Sequence, residues 1–125
     1  MKQVELDELA AAWIKLHEVD EKSIDYKVWF WAYSCLDELI DRDPLSSFEV
    51  IKKILEINET DIILSNLAAG PLEDLLCRHG NEVINHVVKS AKDSQRFKRL
   101  LGAVWQNSIP EPIWAQVKAV SSATW

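Results

Sequence analysis

The chain has 125 residues, of which 48% are hydrophobic and 27% are charged, and its formal net charge at pH 7 is −6. These values fit one soluble globular domain with a sizeable core. The sequence contains only 3 Gly and 4 Pro, too few turn residues for an all-β fold. It also contains no apolar run of the ~18 residues that a membrane-spanning helix requires.

The first residues, MKQVELDELAAAW, carry acids where a signal peptide would need an apolar stretch. A cytoplasmic protein is therefore expected. Cys35 and Cys77 each lie beside a leucine within a helical pattern, which is typical of buried cysteine. We expect both thiols to be reduced.

Helical periodicity runs through nearly the whole chain. Apolar residues predict a first helix at about 5–17 and a second at about 25–42, which Pro44 ends. The capping-box pattern of Ser46–Glu49 predicts the start of a third helix. The segment Ile62–Ala68 predicts a nearly apolar and therefore central helix.

The segment LAAGPLEDLL, residues 67–76, has two interpretations, an acidic functional loop or a joint between helices. Gly70 is suited to the end of one helix and Pro71 to the first position of the next. The two acids that follow would lie in a first turn, where the helix dipole stabilises negative charge. Gly80 would then end this helix, so we interpret the segment as a joint.

Two apolar stripes within residues 81–107 differ in phase by roughly 110°, which a straight helix cannot bury on one side. A break at Lys92–Ser94 is therefore predicted, with Asp93 as the cap. Trp105 closes the second stripe, and Trp114 faces inward in a last helix after Pro110.

Together these patterns predict an all-α single domain over residues 1–125. Seven or eight short helices are expected in stacked antiparallel pairs, an arrangement like that of helical-repeat proteins. No period repeats in the residues themselves.

The sequence resembles a family of small uncharacterised bacterial all-helical proteins. The shared features are a LAAGPLEDLL core, a His-Gly pair and a closing Phe…Leu…Val-Trp pattern, and they extend over about residues 26–117. The matching positions are Leu67 to Leu76, His79, Gly80, Phe97, Leu101, Val104 and Trp105. The resemblance implies a bacterial origin and an all-α fold, and it implies no catalytic role.

No pattern predicts a catalytic residue, a metal site or a cofactor. Glu82 and His86 share a helix face, but no second pair completes a metal site, and a surface Glu–His pair is expected. Residues 41–43 resemble the start of a calcium loop but lack its central Gly and closing Glu. Gly-rich phosphate loops and nucleophile elbows are absent from the sequence. We therefore expect a protein that is not an enzyme.

Charge is spread unevenly along the chain. Residues 1–62 contain 15 acids and 7 bases, whereas residues 63–125 contain 5 acids and 7 bases. The acidic part disfavours nucleic acids and anionic membranes and favours a basic partner. A small basic stripe is interpreted as a solvated face; its members are Lys89, Lys92, Arg96 and Arg99.

The second predicted helix combines aromatic and acidic side chains outside its apolar stripe, a pattern typical of an interface anchor with electrostatic steering. The alternative is a central helix that is buried nearly all round. The candidate partner-binding residues are Phe30, Trp31, Asp37, Glu38, Asp41 and Asp43.

Small size, acidity and the absence of catalytic motifs favour a bacterial immunity protein that neutralises a toxin by masking its active or substrate site. The toxin would be a basic domain. One alternative is a structural or adaptor domain that binds another protein or a second copy of itself. Another is an enzyme with dispersed carboxylates. A protein partner is expected in the first two cases.

Overall fold

The computed structural model describes residues 2–122, and within them the all-α prediction is confirmed. Eight α-helices and one π-helical turn follow in chain order: α1 (Gln3–Glu18), α2 (Ile24–Trp29), α3 (Trp31–Arg42), α4 (Pro44–Ile57), α5 (Asp61–Leu67), the π-turn (Ala68–Leu72), α6 (Glu73–Asp93), α7 (Gln95–Gly102) and α8 (Glu111–Val120).

Several of these helices are continuous with their neighbours. Phe30 keeps a right-handed helical backbone between α2 and α3, with φ −60° and ψ −25°. Leu67 and Glu73, which flank the π-turn between α5 and α6, also have right-handed helical backbone angles. The eight α-helices of residues 2–122 therefore form six continuous runs, slightly fewer than the seven or eight separate helices predicted.

One hydrophobic core connects these elements. Helix α1 packs against α3 and α4, while α6 packs against α3, α4, α7 and α8. The largest fully buried side chains include Trp13, Phe48 and Phe97, which come from α1, α4 and α7. The buried side chains of helices far apart in sequence belong to a single cluster. None of the described helices is both long enough and apolar enough to cross a membrane.

Helix α3 ends at Arg42, as Pro44 predicts, but the predicted cap of α4 is wrong. Asp43 is the N-cap, and its Oδ1 accepts a hydrogen bond from the backbone N–H of Ser46 at 3.2 Å. The Ser46 hydroxyl donates to Asp43 Oδ2 at 2.7 Å. Pro44 has no backbone N–H that would need an acceptor, so it fits the first position of α4, directly after Asp43.

The predicted Gly-Pro joint is also wrong in its geometry. No glycine among the described residues has a positive φ, and Pro71 lies inside the π-turn instead of opening a new helix. The wider π-turn accommodates the proline ring and its missing N–H without ending the helix. A break does lie beside the predicted end at Gly80: His79 leaves helical geometry, with φ −135° and ψ 32°, and joins two helical segments of α6 across a kink.

The break predicted at residues 92–94 is confirmed, since α6 ends at Asp93 and α7 begins at Gln95. The cap is Ser94 and not Asp93, because the Ser94 hydroxyl oxygen accepts a hydrogen bond from the backbone N–H of Phe97. The turn residue nearest to the new helix therefore supplies the cap.

Three apolar side chains from the predicted helices are exposed: Val28, Ile62 and Trp105. Trp105 is 75% exposed because α7 ends at Gly102, so the helical phase of the preceding residues no longer applies to it. Trp114 is half-buried. Cys35 and Cys77 are free thiols and are half-buried, which is less than the sequence predicts.

Candidate functional site

A group of exposed apolar side chains lies along α2 and the start of α3. Helix α2 buries none of its residues. The exposed large side chains on this stretch are Ile24 (80%), Val28 (56%), Phe30 (41%), Trp31 (48%) and Tyr33 (51%). We call these five residues the aromatic face.

Contacts between rings order part of the aromatic face. The ring centroid of Phe30 lies 5.5 Å from that of Tyr33 and 5.7 Å from that of Tyr26. The residues that α3 buries include Ala32, Leu36 and Ile40. Phe30, Trp31 and Tyr33 are instead 41% to 51% exposed, so a large part of each ring is available to a partner.

Beyond the aromatic face, α3 is joined to α6 by a group of charged residues. The Arg78 guanidinium reaches two carboxylates of α3, with Nη2 3.0 Å from Asp37 Oδ1 and Nη1 3.3 Å from Asp41 Oδ2. Its Nη2 also lies 3.6 Å from Asp74 Oδ2, one turn earlier on α6. One guanidinium therefore bridges α3 and α6 at their surface.

His79 contacts a carboxylate at each ring nitrogen. Its Nε2 lies 3.0 Å from Asp41 Oδ1 and its Nδ1 lies 3.3 Å from Glu82 Oε1. The hydrogen bond with Asp41 raises the pKa of His79 and lowers the pKa of Asp41. Both ring nitrogens act as donors in the charged form, so the two carboxylates favour the protonated imidazole.

We call these six residues the Arg78–His79 cluster: Asp37, Asp41, Asp74, Arg78, His79 and Glu82. Burial raises the pKa of Asp74, although the nearby Arg78 opposes this shift. Four carboxylates face one guanidinium and one imidazole, so with all four ionised the cluster is negative in either protonation state of His79. This negative group adjoins the aromatic face along α3.

The structure separates the roles of the predicted acidic residues. Asp37 and Asp41 are engaged by Arg78, and Asp43 caps α4. Hydrogen bonds from Ser46 lower the pKa of Asp43. Glu38 is exposed and has no ion pair within residues 2–122. Phe30 and Trp31 lie on the aromatic face.

The predicted Glu82–His86 pair is wrong, because Glu82 contacts His79 and the His86 ring instead lies near Phe48. His79 itself lies at the kink of α6. Sequence reasoning missed the Arg78–His79 cluster because its two halves are 37 to 41 positions apart. The sequence feature that could have indicated the cluster is the Arg78-His79 pair, one helical turn after Asp74.

A cleft and a cysteine thiol lie beside the Arg78–His79 cluster. A cleft of about 330 Å³ beside His79 is lined by Cys77, Asn81, Pro110 and Ile113. The Cys77 thiol faces the backbone oxygen of Ser108 at 3.4 Å. Over residues 2–122, no group of three or more His, Cys, Asp or Glu side chains is arranged to hold a metal ion.

A family model covers most of the chain. No curated protein and no solved protein structure is significantly similar to it. The model of a family of unknown function, DUF6869, matches residues 18–124. This match includes both the aromatic face and the Arg78–His79 cluster. The chain therefore belongs to DUF6869, a family of unknown function.

Proposed function

We propose that the protein is a cytoplasmic protein-binding module of bacterial origin whose contact surface is the aromatic face with its acidic margin. In the specific form we favour, it is an immunity protein that masks the active or substrate site of a basic toxin domain. Neither role requires a cofactor or a catalytic residue of this chain.

The aromatic face is the observation that supports this proposal. Five large apolar side chains within ten consecutive positions are between 41% and 80% exposed. Isolated exposed apolar residues are common, but a group of exposed aromatic side chains that includes neighbouring rings, as Phe30 and Tyr33 are, is typical of a protein interface. Trp and Tyr supply large contact areas at a small cost in side-chain entropy, which is why they dominate binding energy at interfaces.

The charges beside this face favour a basic partner. Glu38 offers an exposed carboxylate, and the Arg78–His79 cluster retains negative charge. Such charges accelerate the encounter with a cationic surface and disfavour anionic partners. A basic nuclease-like toxin is one partner with this electrostatic character, which is the reason for preferring immunity to a general adaptor role.

Co-expression tests the proposal directly. The protein is produced together with any toxic protein encoded beside its gene, and growth of the host is measured. Wild type is expected to restore growth, whereas Trp31→Ala is expected to weaken the complex by more than about 2 kcal/mol, chiefly through faster dissociation. Trp105→Ala is the matched control, because it removes an equally large exposed indole outside the aromatic face.

Two measurements separate this proposal from its alternatives. Equal loss of binding in both tryptophan variants would place the interface elsewhere. A concentration-dependent dimer of wild type that Trp31→Ala abolishes, without binding to a basic partner, would instead support self-association. Thermal melts of both variants must show folded protein, as expected for side chains that are about half exposed or more.

A further inference from the structure

A small notch continues the aromatic face towards the Arg78–His79 cluster. Tyr33 and Asp37 line it from α3, while Gly70 and Asp74 line it from the π-turn and the start of α6. Its volume is about 50 Å³, which corresponds to roughly two water molecules. The notch therefore has room for the end of one side chain and not for a free small molecule of ordinary size. We call it the Tyr33 notch.

The side chains around the Tyr33 notch are accessible. Tyr33 is 51% exposed, and the side chains of Asp37 and Asp74 are 43% and 40% exposed. The core residues beneath the notch are almost fully buried, as Leu36 is at 1%. An occupant would therefore contact the phenol ring and the two carboxylates, and not the core.

Gly70 keeps one edge of the notch open. A Cβ atom at this position would have no atom within 4 Å, and the φ of Gly70 is not positive. The backbone therefore does not require glycine here, and a larger residue would place its side chain in the free space at this edge. Single π-turns within α-helices are frequent at functional sites.

Carboxylates outnumber cations beside the notch even when every ion pair is counted. The Arg78–His79 cluster contains four carboxylates and two cationic groups, and in the described part of the chain no other cation pairs with these four. With all four ionised and His79 protonated, two negative charges remain. Burial raises the pKa of Asp74, the carboxylates of Asp37 and Asp41 add to this shift, and Arg78 offsets only part of it. A further cation beside Asp74 would thus meet uncompensated negative charge.

From these features we propose that the Tyr33 notch receives one arginine side chain of a basic protein partner, whose guanidinium stacks on Tyr33 and donates hydrogen bonds to Asp37 and Asp74. This role rests on the proposed function, because a basic partner is what supplies the arginine. A guanidinium is planar and presents five N–H donors, so it can stack on a ring and bridge two carboxylates at once. A lysine ammonium is a more strongly hydrated point charge and suits this arrangement less well.

Nuclear magnetic resonance titrations of the protein at low salt test this proposal with three probes: the acetyl-capped amides of arginine, lysine and citrulline. Citrulline has nearly the shape of arginine but carries no charge. The arginine amide is expected to shift the backbone amide signals of Tyr33, Gly70 and Asp74. It should bind about tenfold more tightly than the citrulline amide and more tightly than the lysine amide.

Two variants and a matched control locate the binding. Gly70→Leu should abolish the shifts by filling the notch, and Asp74→Asn should weaken binding of the arginine amide by about tenfold. Asp93→Asn removes the same charge from an exposed position at the far end of α6 and should leave this binding unchanged. Thermal melts establish that all three variants are folded, and Asp74→Asn tests the site even if Gly70→Leu is not.

Equal affinities for the arginine and citrulline amides would overturn the proposal, as would tighter binding of the lysine amide. So would shifts that a folded Gly70→Leu variant retains, equal losses in Asp74→Asn and Asp93→Asn, or no shift at about 10 mM arginine amide. None of these measurements uses a natural partner. Their failure is therefore distinct from a failure to restore growth on co-expression, which tests the proposed function alone.

Discussion

At the scale of single residues, Gly80 shows how closely two helices approach. A Cβ atom at this position would lie 2.9 Å from Cγ1 and 3.1 Å from Cγ2 of Ile113 on α8. Ile113 is itself buried, so it has little space into which to move. Gly80→Ala is therefore expected to lower the free energy of unfolding by about 1–3 kcal/mol in urea titrations.

Gly70 is the matched control for this prediction. It has no atom within 4 Å of a Cβ placed there, and its φ is not positive. Gly70→Ala should therefore stabilise the protein by about 0.5–1 kcal/mol through the unfolded state. The double variant with Gly80→Ala and Ile113→Ala should lose less unfolding free energy than the sum of the losses in the two single variants. Additive losses would show that this contact is not the cause.

At the scale of helices, Asp43 connects the end of α3 to the start of α4. Asp43→Ala removes the acceptor for the Ser46 N–H and should cost about 1–2 kcal/mol of stability in thermal or urea unfolding. Asp43→Asn keeps an oxygen acceptor and should cost much less, although it removes the charge. If the two variants lost equal stability, the carboxylate charge and not the cap would be the stabilising feature.

The same pair of variants tests whether Asp43 also contacts a partner. Asp43→Asn should slow association with a basic partner only if the charge contributes to steering, and this loss should shrink as salt is raised. Folded stability and partner binding are thus measured in a single variant that keeps the cap.

Most helix limits could be predicted because local residues determine them. Pro44 and the phase shift near Ser94 act within one or two turns, and both predicted breaks are confirmed. The course of the chain at Gly70 and Pro71 could not be predicted, since a π-turn and a helix end suit the same residues. Trp105 was misplaced because its helix ends three residues before it.

The candidate site was predictable only in part. Helical spacing correctly placed Phe30 and Trp31 away from the buried side of α3. It did not reveal that Asp37 and Asp41 contact Arg78, because the choice of a distant partner depends on how α3 packs against α6. Tertiary packing is therefore what separates Glu38, which is free of ion pairs in the described part of the chain, from its neighbours.

At the scale of the whole molecule, two histidines give the stability opposite dependences on pH. The hydrogen bond with Asp41 raises the pKa of His79, whereas burial lowers the pKa of His17. A raised pKa in the folded state stabilises the fold below the ordinary value of 6.5, and this contribution is lost as the pH rises through the raised pKa. Protonation of His17 opposes folding as the pH falls below 6.5.

Urea titrations over a range of pH can separate these contributions. The difference in unfolding free energy between wild type and His79→Gln should be largest in mild acid, where Asp41 is still ionised, and should shrink above about pH 6.5. His17→Gln is the control, and its effect should have the opposite sign. Because protonation of His17 opposes folding, this variant should raise the unfolding free energy relative to wild type only in acid. A difference for His79→Gln that does not change with pH would show that the Asp41 contact does not favour the charged imidazole.

The helical run from Asp61 to Asp93 contains 33 residues, and its length has a geometric consequence. A straight α-helix of that length would extend about 50 Å. A compact domain of this size has a radius of gyration of about 14 Å, hence a diameter of roughly 36 Å. A straight rod would therefore protrude from the domain and expose its apolar stripe. The π-turn and the irregular backbone at His79 divide the rod into shorter pieces, each of which can lie against the core.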